Sequence, residues 1–137
     1  MKTKRILFLL MAIFVISFAY GQETDEKVKR LISTGVMLHD KGMYDEAILR
    51  YDSALVLSPN HSDVVSEKAF TLSAMGKASE AKKMVEKQIK KADSKDLSTL
   101  YMVYAGILDD AGDHVKAIEI YERLPQQRIL KIFIPCS

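Results

Sequence analysis

The chain has 137 residues, with 20 Lys or Arg and 18 Asp or Glu, and its formal net charge at pH 7 is +2. Three of the basic residues and no acidic one lie in residues 1–21, so the remainder carries about −1 and lacks the overall positive charge of a nucleic-acid-binding protein. The length suits one ordinary domain, and the single cysteine, Cys136, excludes an intramolecular disulfide.

The first 21 residues have the pattern of a secretory signal peptide. A basic start in residues 2–5 precedes an apolar stretch, Ile6–Phe18, and Ala19 and Gly21 are the small residues expected before cleavage at Gln22. The apolar stretch is shorter than the roughly 20 residues that a membrane-spanning helix needs. We therefore predict an exported protein, periplasmic or extracellular, with no stable membrane span after cleavage. An uncleaved anchor is the alternative.

A short polar lead, residues 22–27, precedes the first helical pattern. From Val28 to Leu38, apolar residues recur at the i, i+3, i+4, i+7 spacing of an amphipathic helix, which Gly42 ends. A second helix is predicted from Asp45 and stops at Pro59, because proline cannot continue a helix. Residues 28–61 are therefore predicted to form one helical hairpin.

Two further hairpins follow the same plan, in residues 62–95 and 96–125. Their turns are predicted at Gly76 and Gly112. The inward-facing residues of the fifth predicted helix are Leu100, Tyr101, Tyr104, Ala105 and Leu108. The last segment, residues 126–137, is an apolar tail. Either this tail folds back over the open end of the array, or the chain is a piece of a longer repeat protein.

Three positions recur in register along these hairpins. They are Leu38, Leu72 and Leu108, then Gly42, Gly76 and Gly112, and then Ala47, Ala81 and Ala117. A period near 34 residues is typical of a helical repeat array, in which each unit buries its apolar face against its neighbour.

The units resemble the tetratricopeptide repeat (TPR), whose pattern is W-x2-L-G-x2-Y, then A-x3-F, then P. The first unit matches at Gly35, Leu38, Ala47, Tyr51 and Pro59. One small-residue position is shared by Gly35, Ala69 and Ala105, and the other by Ala47, Ala81 and Ala117. The resemblance implies an all-α fold in which three TPR-like hairpins form a short right-handed α-solenoid.

Catalytic and metal-binding motifs are not found in the sequence. It has no P-loop, no G-x-S-x-G, no H-E-x-x-H and no paired-cysteine site. The acidic residues around Asp110 fail the spacing of a calcium loop. We therefore expect no enzymatic activity, no catalytic residue, no cofactor and no bound metal.

The resemblance implies that a ligand contacts the first helix of each repeat, along a concave groove. The candidate groove residues are Ile32, Val36, His39, Asp40, Asp63, Phe70, Met102, Asp109 and Asp110. Their apolar strip and acidic rim would suit a peptide with hydrophobic anchors and flanking Lys or Arg. The alternative is that the apolar side chains only complete the packing between repeats.

Some TPR domains grip the C-terminal carboxylate of chaperones with a clamp of Lys, Asn and Arg. The matching positions here hold Ile32, Val36, Glu67, Thr99 and Val103, none of which offers an amide or a cation. That ligand class is therefore disfavoured. A Lys-rich run, residues 82–95, is interpreted as a solvated outer face, with an anionic docking patch as the alternative.

The functional prediction is a non-catalytic scaffold of the bacterial cell envelope that binds a protein or peptide and no nucleic acid. The alternative is the N-terminal sensory or repeat region of a larger envelope signalling protein.

Overall fold

The computed structural model describes the backbone of residues 2–124; before Gly21, it describes the side chains of Ile6 and Met11 only. This part of the chain contains six α-helices and no strand: α1 (Lys2–Asp40), α2 (Tyr44–Leu57), α3 (Ser62–Ala74), α4 (Ala78–Ile89), α5 (Ser94–Asp110) and α6 (His114–Arg123). They pair as the hairpins α1–α2, α3–α4 and α5–α6. Cys136 and the predicted apolar tail lie outside the described residues.

Each hairpin turns on a glycine whose backbone is left-handed. The φ angles are 74° at Gly42, 77° at Gly76 and 84° at Gly112, and residues with a side chain rarely adopt such values. After each glycine, the next backbone N–H donates to the carbonyl five residues earlier, as Lys77 does to Leu72 at 2.8 Å. This Schellman motif ends all three first helices, and it explains why glycine recurs in register.

Small residues lie where the helices of a hairpin meet, as predicted. Ala47, Ala81 and Ala117 are buried. At Gly35 a Cβ atom would lie within 3.0 Å of three ring carbons of Tyr51. Because glycine has only a hydrogen atom in place of a side chain, α1 can lie directly against the Tyr51 ring.

The apolar core consists of two clusters of buried residues. The first cluster joins α1, α2 and α3 and contains Val28, Ala47, Tyr51, Ala54 and Val64. The second cluster joins α3, α4 and α5 and contains Ala69, Leu72, Ala81, Val85, Leu100 and Ile107. Because α3 contributes to both clusters, it lies at the centre of the described fold and contacts α1 on one side and α5 on the other.

The structure differs from the sequence prediction at the start of the first helix. Instead of starting at Val28, α1 begins at Lys2 and runs through the polar lead. No proline interrupts residues 22–27, and their Gln, Glu and Lys are good helix formers. Within residues 2–124, no helix is both long enough and apolar enough to cross a membrane.

The prediction that Tyr101 faces inward is wrong, since its side chain is 39% exposed. Its neighbour Leu100 is fully buried, and consecutive residues of an α-helix point about 100° apart. Leu100 therefore fills the inward direction at this turn of α5, and Tyr101 is rotated toward solvent.

Candidate functional site

A cleft of about 340 Å³ opens between α3 and α5. It is lined by Asp63, Ser66, Glu67 and Phe70 of α3 and by Thr99 and Val103 of α5. The four α3 residues have the spacing i, i+3, i+4, i+7, which places them on one face of that helix. The opposite face of α3 carries the buried Ala69 and Leu72. The cleft is therefore open on the surface formed by the first helices α1, α3 and α5, which we call the first-helix face.

Phe70 supplies the largest apolar surface of the cleft. Its side chain is 49% exposed, and its ring lies against His39 of α1 with the ring centroids 5.3 Å apart. The Thr71 hydroxyl donates its one proton to the Glu67 carbonyl at 2.9 Å. His39 Nδ1, which lies 2.9 Å from Thr71 Oγ1, must then carry a proton and donate it there. The histidine is thereby fixed in place and supports the Phe70 ring.

The charged groups that line the cleft are both carboxylates, Asp63 and Glu67. Burial raises the pKa of Glu67; His39 lowers it, and the negative charges of Asp63 and Asp40 raise it further. Lys68 follows Glu67 in the sequence but extends away from the cleft. Its Nζ lies 2.5 Å from Asp52 Oδ1 on α2. The lining of the cleft therefore carries two carboxylates and no Lys or Arg, with His39 and, in the depression next to Asp63, Lys95 as the neighbouring basic groups.

Ser66 lines the cleft with a hydroxyl that has no hydrogen-bond partner. Its side chain is only 6% exposed. The hydroxyl groups of Thr34, Ser53 and Thr71 instead donate to the carbonyl four residues earlier, as Ser53 does to Leu49. Leaving a buried hydroxyl unpaired costs about 1–3 kcal/mol. Because Ser66 Oγ is itself closed off from solvent, a ligand atom would remove this cost only after the side chain rotates toward the cleft.

The structure brings only some of the predicted groove residues together. Asp63 and Phe70 line the cleft, and His39 touches Phe70. Asp40 is close enough to Glu67 to affect its pKa. Ser73 Oγ donates to Asp110 Oδ2 at 3.5 Å, which links α3 and α5 further along the first-helix face.

Other predicted groove residues lie away from the cleft. Ile32 packs against the first core cluster, and Val36 is half-buried on α1. On α5, Val103 lines the cleft and Met102 does not. Asp109 Oδ1 lies 2.6 Å from Nδ1 of the exposed His114, so this carboxylate is directed to the α5–α6 turn.

The candidate list omits four cleft residues, Ser66, Glu67, Thr99 and Val103, although the resemblance assigns Ser66 and Thr99 to ligand-contact positions of the first helices. For Ser66 and Glu67, the signal that could have found them is the i, i+3, i+4, i+7 spacing from Asp63 to Phe70. The sequence comparison with the carboxylate clamp did place Glu67, Thr99 and Val103 on the ligand side. Because these residues lack an amide or a cation, they argue only against a chaperone's C-terminal carboxylate as the ligand.

A second depression, of about 370 Å³, lies where α3 and α5 begin and is lined by polar residues. Gln88 Nε2 donates to the Asn60 carbonyl at 2.8 Å, and Ser62 Oγ donates to Asp96 Oδ2 at 2.9 Å. These bonds join the α2–α3 connection to α4 and the start of α3 to α5, so their role is structural. Among the residues that the structure describes, no group of three or more His, Cys, Asp or Glu side chains could hold a metal ion.

Comparison with known proteins agrees with this architecture. Residues 38–101 match the model of the tetratricopeptide repeat family. Among the solved structures that match is the TPR domain of Sgt2 from Aspergillus fumigatus, which is 25% identical with a TM-score of 0.60. That match covers 69% of this chain and 62% of the Sgt2 chain. No match was found among curated proteins.

The fold class is therefore all-α, a solenoid of helical hairpins of the TPR type, as the sequence predicted. Folds of this kind act as scaffolds for protein–protein interaction, because stacked hairpins create extended binding surfaces.

Proposed function

We propose that this chain is a non-catalytic scaffold that binds a protein or peptide on its first-helix face, at the α3–α5 cleft. The observation that carries the proposal is the half-exposed Phe70 ring, held by His39 at the edge of a cleft that also contains an unpaired serine hydroxyl. Aromatic anchors of this kind supply much of the affinity at protein interfaces. The lining residues include no histidine or lysine that could activate the serine as a nucleophile.

The binding proposal is tested by photo-crosslinking from two positions. A photoreactive amino acid at Thr99, inside the cleft, should give an adduct with a discrete partner in cells that express the chain. The same group at Ser53, exposed on α2, should not. Phe70→Ala should suppress the Thr99 adduct. Equal yields of adduct from both positions, or a Thr99 adduct whose yield is unchanged by Phe70→Ala, would contradict the proposal.

The proposal also places the protein in the bacterial cell envelope, in the periplasm or outside the cell. The signal pattern of residues 1–21 supports this location. Among the side chains that the structure describes, the first one in the buried core is that of Val28. Cleavage before Gln22 would therefore leave both core clusters in the mature chain.

N-terminal sequencing of the protein secreted by an expressing bacterium tests this location. The expected first residue is Gln22, and Gly21→Leu should block processing because the cleavage site requires a small residue there. Recovery of the chain with Met1 intact in the membrane fraction would contradict export in processed form and favour an anchor.

A further inference from the structure

We infer that the occupant of the α3–α5 cleft is a cationic peptide segment, in which one apolar side chain packs against Phe70 and Val103 while an adjacent Lys or Arg meets Asp63 and Glu67. The inference rests on the proposed function, because it specifies the chemistry of the partner at the same cleft.

The apolar part of the cleft selects a hydrophobic anchor. Phe70 exposes half of its side chain on α3, and the half-buried Val103 faces it from α5. His39 already holds the Phe70 ring in place. A ligand side chain that packs there therefore loses its own conformational freedom, but the protein side chains lose little more. A prearranged apolar site of this kind increases affinity by reducing the cost of binding.

The charge of the cleft selects a cation. Asp63 and Glu67 line it without any Lys or Arg among the lining residues, and Lys95 lies in the neighbouring depression that Asp63 also borders. The nearest cation in sequence, Lys68, is already paired with Asp52 on α2. Farther along the first-helix face, Asp110 adds another carboxylate. A cationic side chain would complement this field, whereas a carboxylate would meet like charges in a partly desolvated cleft, which is strongly unfavourable.

The unpaired hydroxyl of Ser66 is an independent indication of a ligand. Ser66 is more than nine-tenths buried, lines the cleft, and has no partner for Oγ. A hydroxyl can both donate and accept a hydrogen bond, so it can pair with either a carbonyl or an amide of a peptide backbone. Rotation of the Ser66 side chain toward the cleft would therefore add a contact to the peptide main chain beside the anchor.

Three matched synthetic peptides test the inference by fluorescence anisotropy with the purified full-length chain. The basic probe is a 12-residue peptide with one Leu flanked by Lys and Arg. The acidic probe has Glu at each basic position, and the third probe keeps the basic residues but replaces Leu with Ser. We expect the basic probe to bind, and to bind more weakly as salt increases, because exposed charges are screened. We expect at least tenfold weaker binding of the acidic probe.

Variants connect the selectivity to the cleft. Phe70→Ala should weaken the basic probe roughly fivefold or more, and Glu67→Gln should weaken it while improving the acidic probe. Glu80→Gln removes the same charge from an exposed site on α4 and should leave both affinities unchanged. Circular dichroism establishes that each variant is folded.

The outcomes separate this inference from the function on which it rests. Equal binding of basic and acidic probes, lost in both cases with Phe70→Ala, overturns the charge selectivity and leaves the cleft as the binding site. Failure of the basic probe to bind overturns the inference, and it overturns the proposed function as well if the Thr99 crosslink is also missing. Binding that depends on Lys83 and Lys87 instead of Phe70 moves the site to α4 and overturns both.

Discussion

Tyr51 illustrates how closely single side chains are constrained in this fold. Its ring is fully buried against Gly35, and its phenolic oxygen makes no well-formed hydrogen bond, although the nearby Thr71 hydroxyl lowers its pKa against the larger effect of burial. Burial raises the pKa of Tyr51 to about 12, whereas a tyrosine in an unfolded chain titrates near pH 10. The folded chain therefore holds this proton more tightly than the unfolded chain. This contribution to stability is complete below about pH 10 and is lost as the pH rises toward 12.

Tyr51→Phe tests this environment. Removing an unpaired buried hydroxyl should leave the free energy of unfolding at pH 7 unchanged or raise it by up to about 1 kcal/mol. The variant should also lose less stability than the wild type between about pH 10 and 12. Urea unfolding at several pH values measures both effects, with Tyr101→Phe as the solvent-exposed control. A loss of more than about 1 kcal/mol at pH 7 would mean that the phenol makes a hydrogen bond.

The helices and their connections follow from a few residues with special backbone properties. Gly42, Gly76 and Gly112 adopt left-handed conformations in the three hairpin turns, whereas Gly106 lies inside α5. A Cβ at Gly106 would meet only Tyr121 Oη, at 3.7 Å, which is an ordinary contact distance. The chain therefore contains glycines that the fold needs and one that it tolerates.

Alanine substitution should distinguish these two kinds of glycine. Gly76→Ala should destabilise the chain by about 1–2 kcal/mol, because a side chain disfavours the left-handed conformation. Gly106→Ala should stabilise it by roughly 0.5–1 kcal/mol, because alanine is the better residue in a helix interior. The melting temperatures of both variants, compared with that of the wild type, measure these changes in stability. Shifts of the same sign would show that one of these backbone environments is wrongly assigned.

The sequence predicts the helical hairpins well because their ends depend on local signals. Gly42, Gly76 and Gly112 mark three turns, and Pro59 follows the end of α2. The start of α1 could not be predicted in the same way. Residues 22–27 lack an apolar stripe, yet nothing in them stops a helix that already runs from Lys2. Periodicity indicates which part of a helix is packed, and that part can be shorter than the helix.

On the scale of the whole molecule, the two sides of the α3–α4 hairpin carry opposite charge. The first-helix face presents Asp63 and Glu67 in the cleft. The second helix, α4, exposes Lys83 and Lys87, and Lys90 and Lys91 follow it. A cationic partner would be attracted to one side and repelled from the other, so charge would orient its approach as well as strengthen it.

The site was only partly predictable because its position depends on how neighbouring helices pack. The repeat pattern predicts Asp63 and Phe70 on the first-helix face, and both residues line the cleft. It cannot show that Asp109 pairs with His114 or that Lys68 extends toward Asp52. Each of these contacts joins different helices, and the direction of a long side chain is decided by the partner it finds across the interface.

The contact between Gly35 and Tyr51 limits how the units of this array can be recombined. The positions equivalent to this pair are Ala69 and Val85 in the second hairpin, which are both buried. A chain that joined the first helix of the second hairpin to the second helix of the first would place a methyl group where Tyr51 needs space. In the third hairpin, Ala105 and the half-buried Tyr121 hold the equivalent positions, so a methyl group is compatible with a tyrosine whose ring is not fully buried. Exchange of the first helix alone would therefore move Tyr51 out of its buried position, whereas exchange of the whole first hairpin would preserve it.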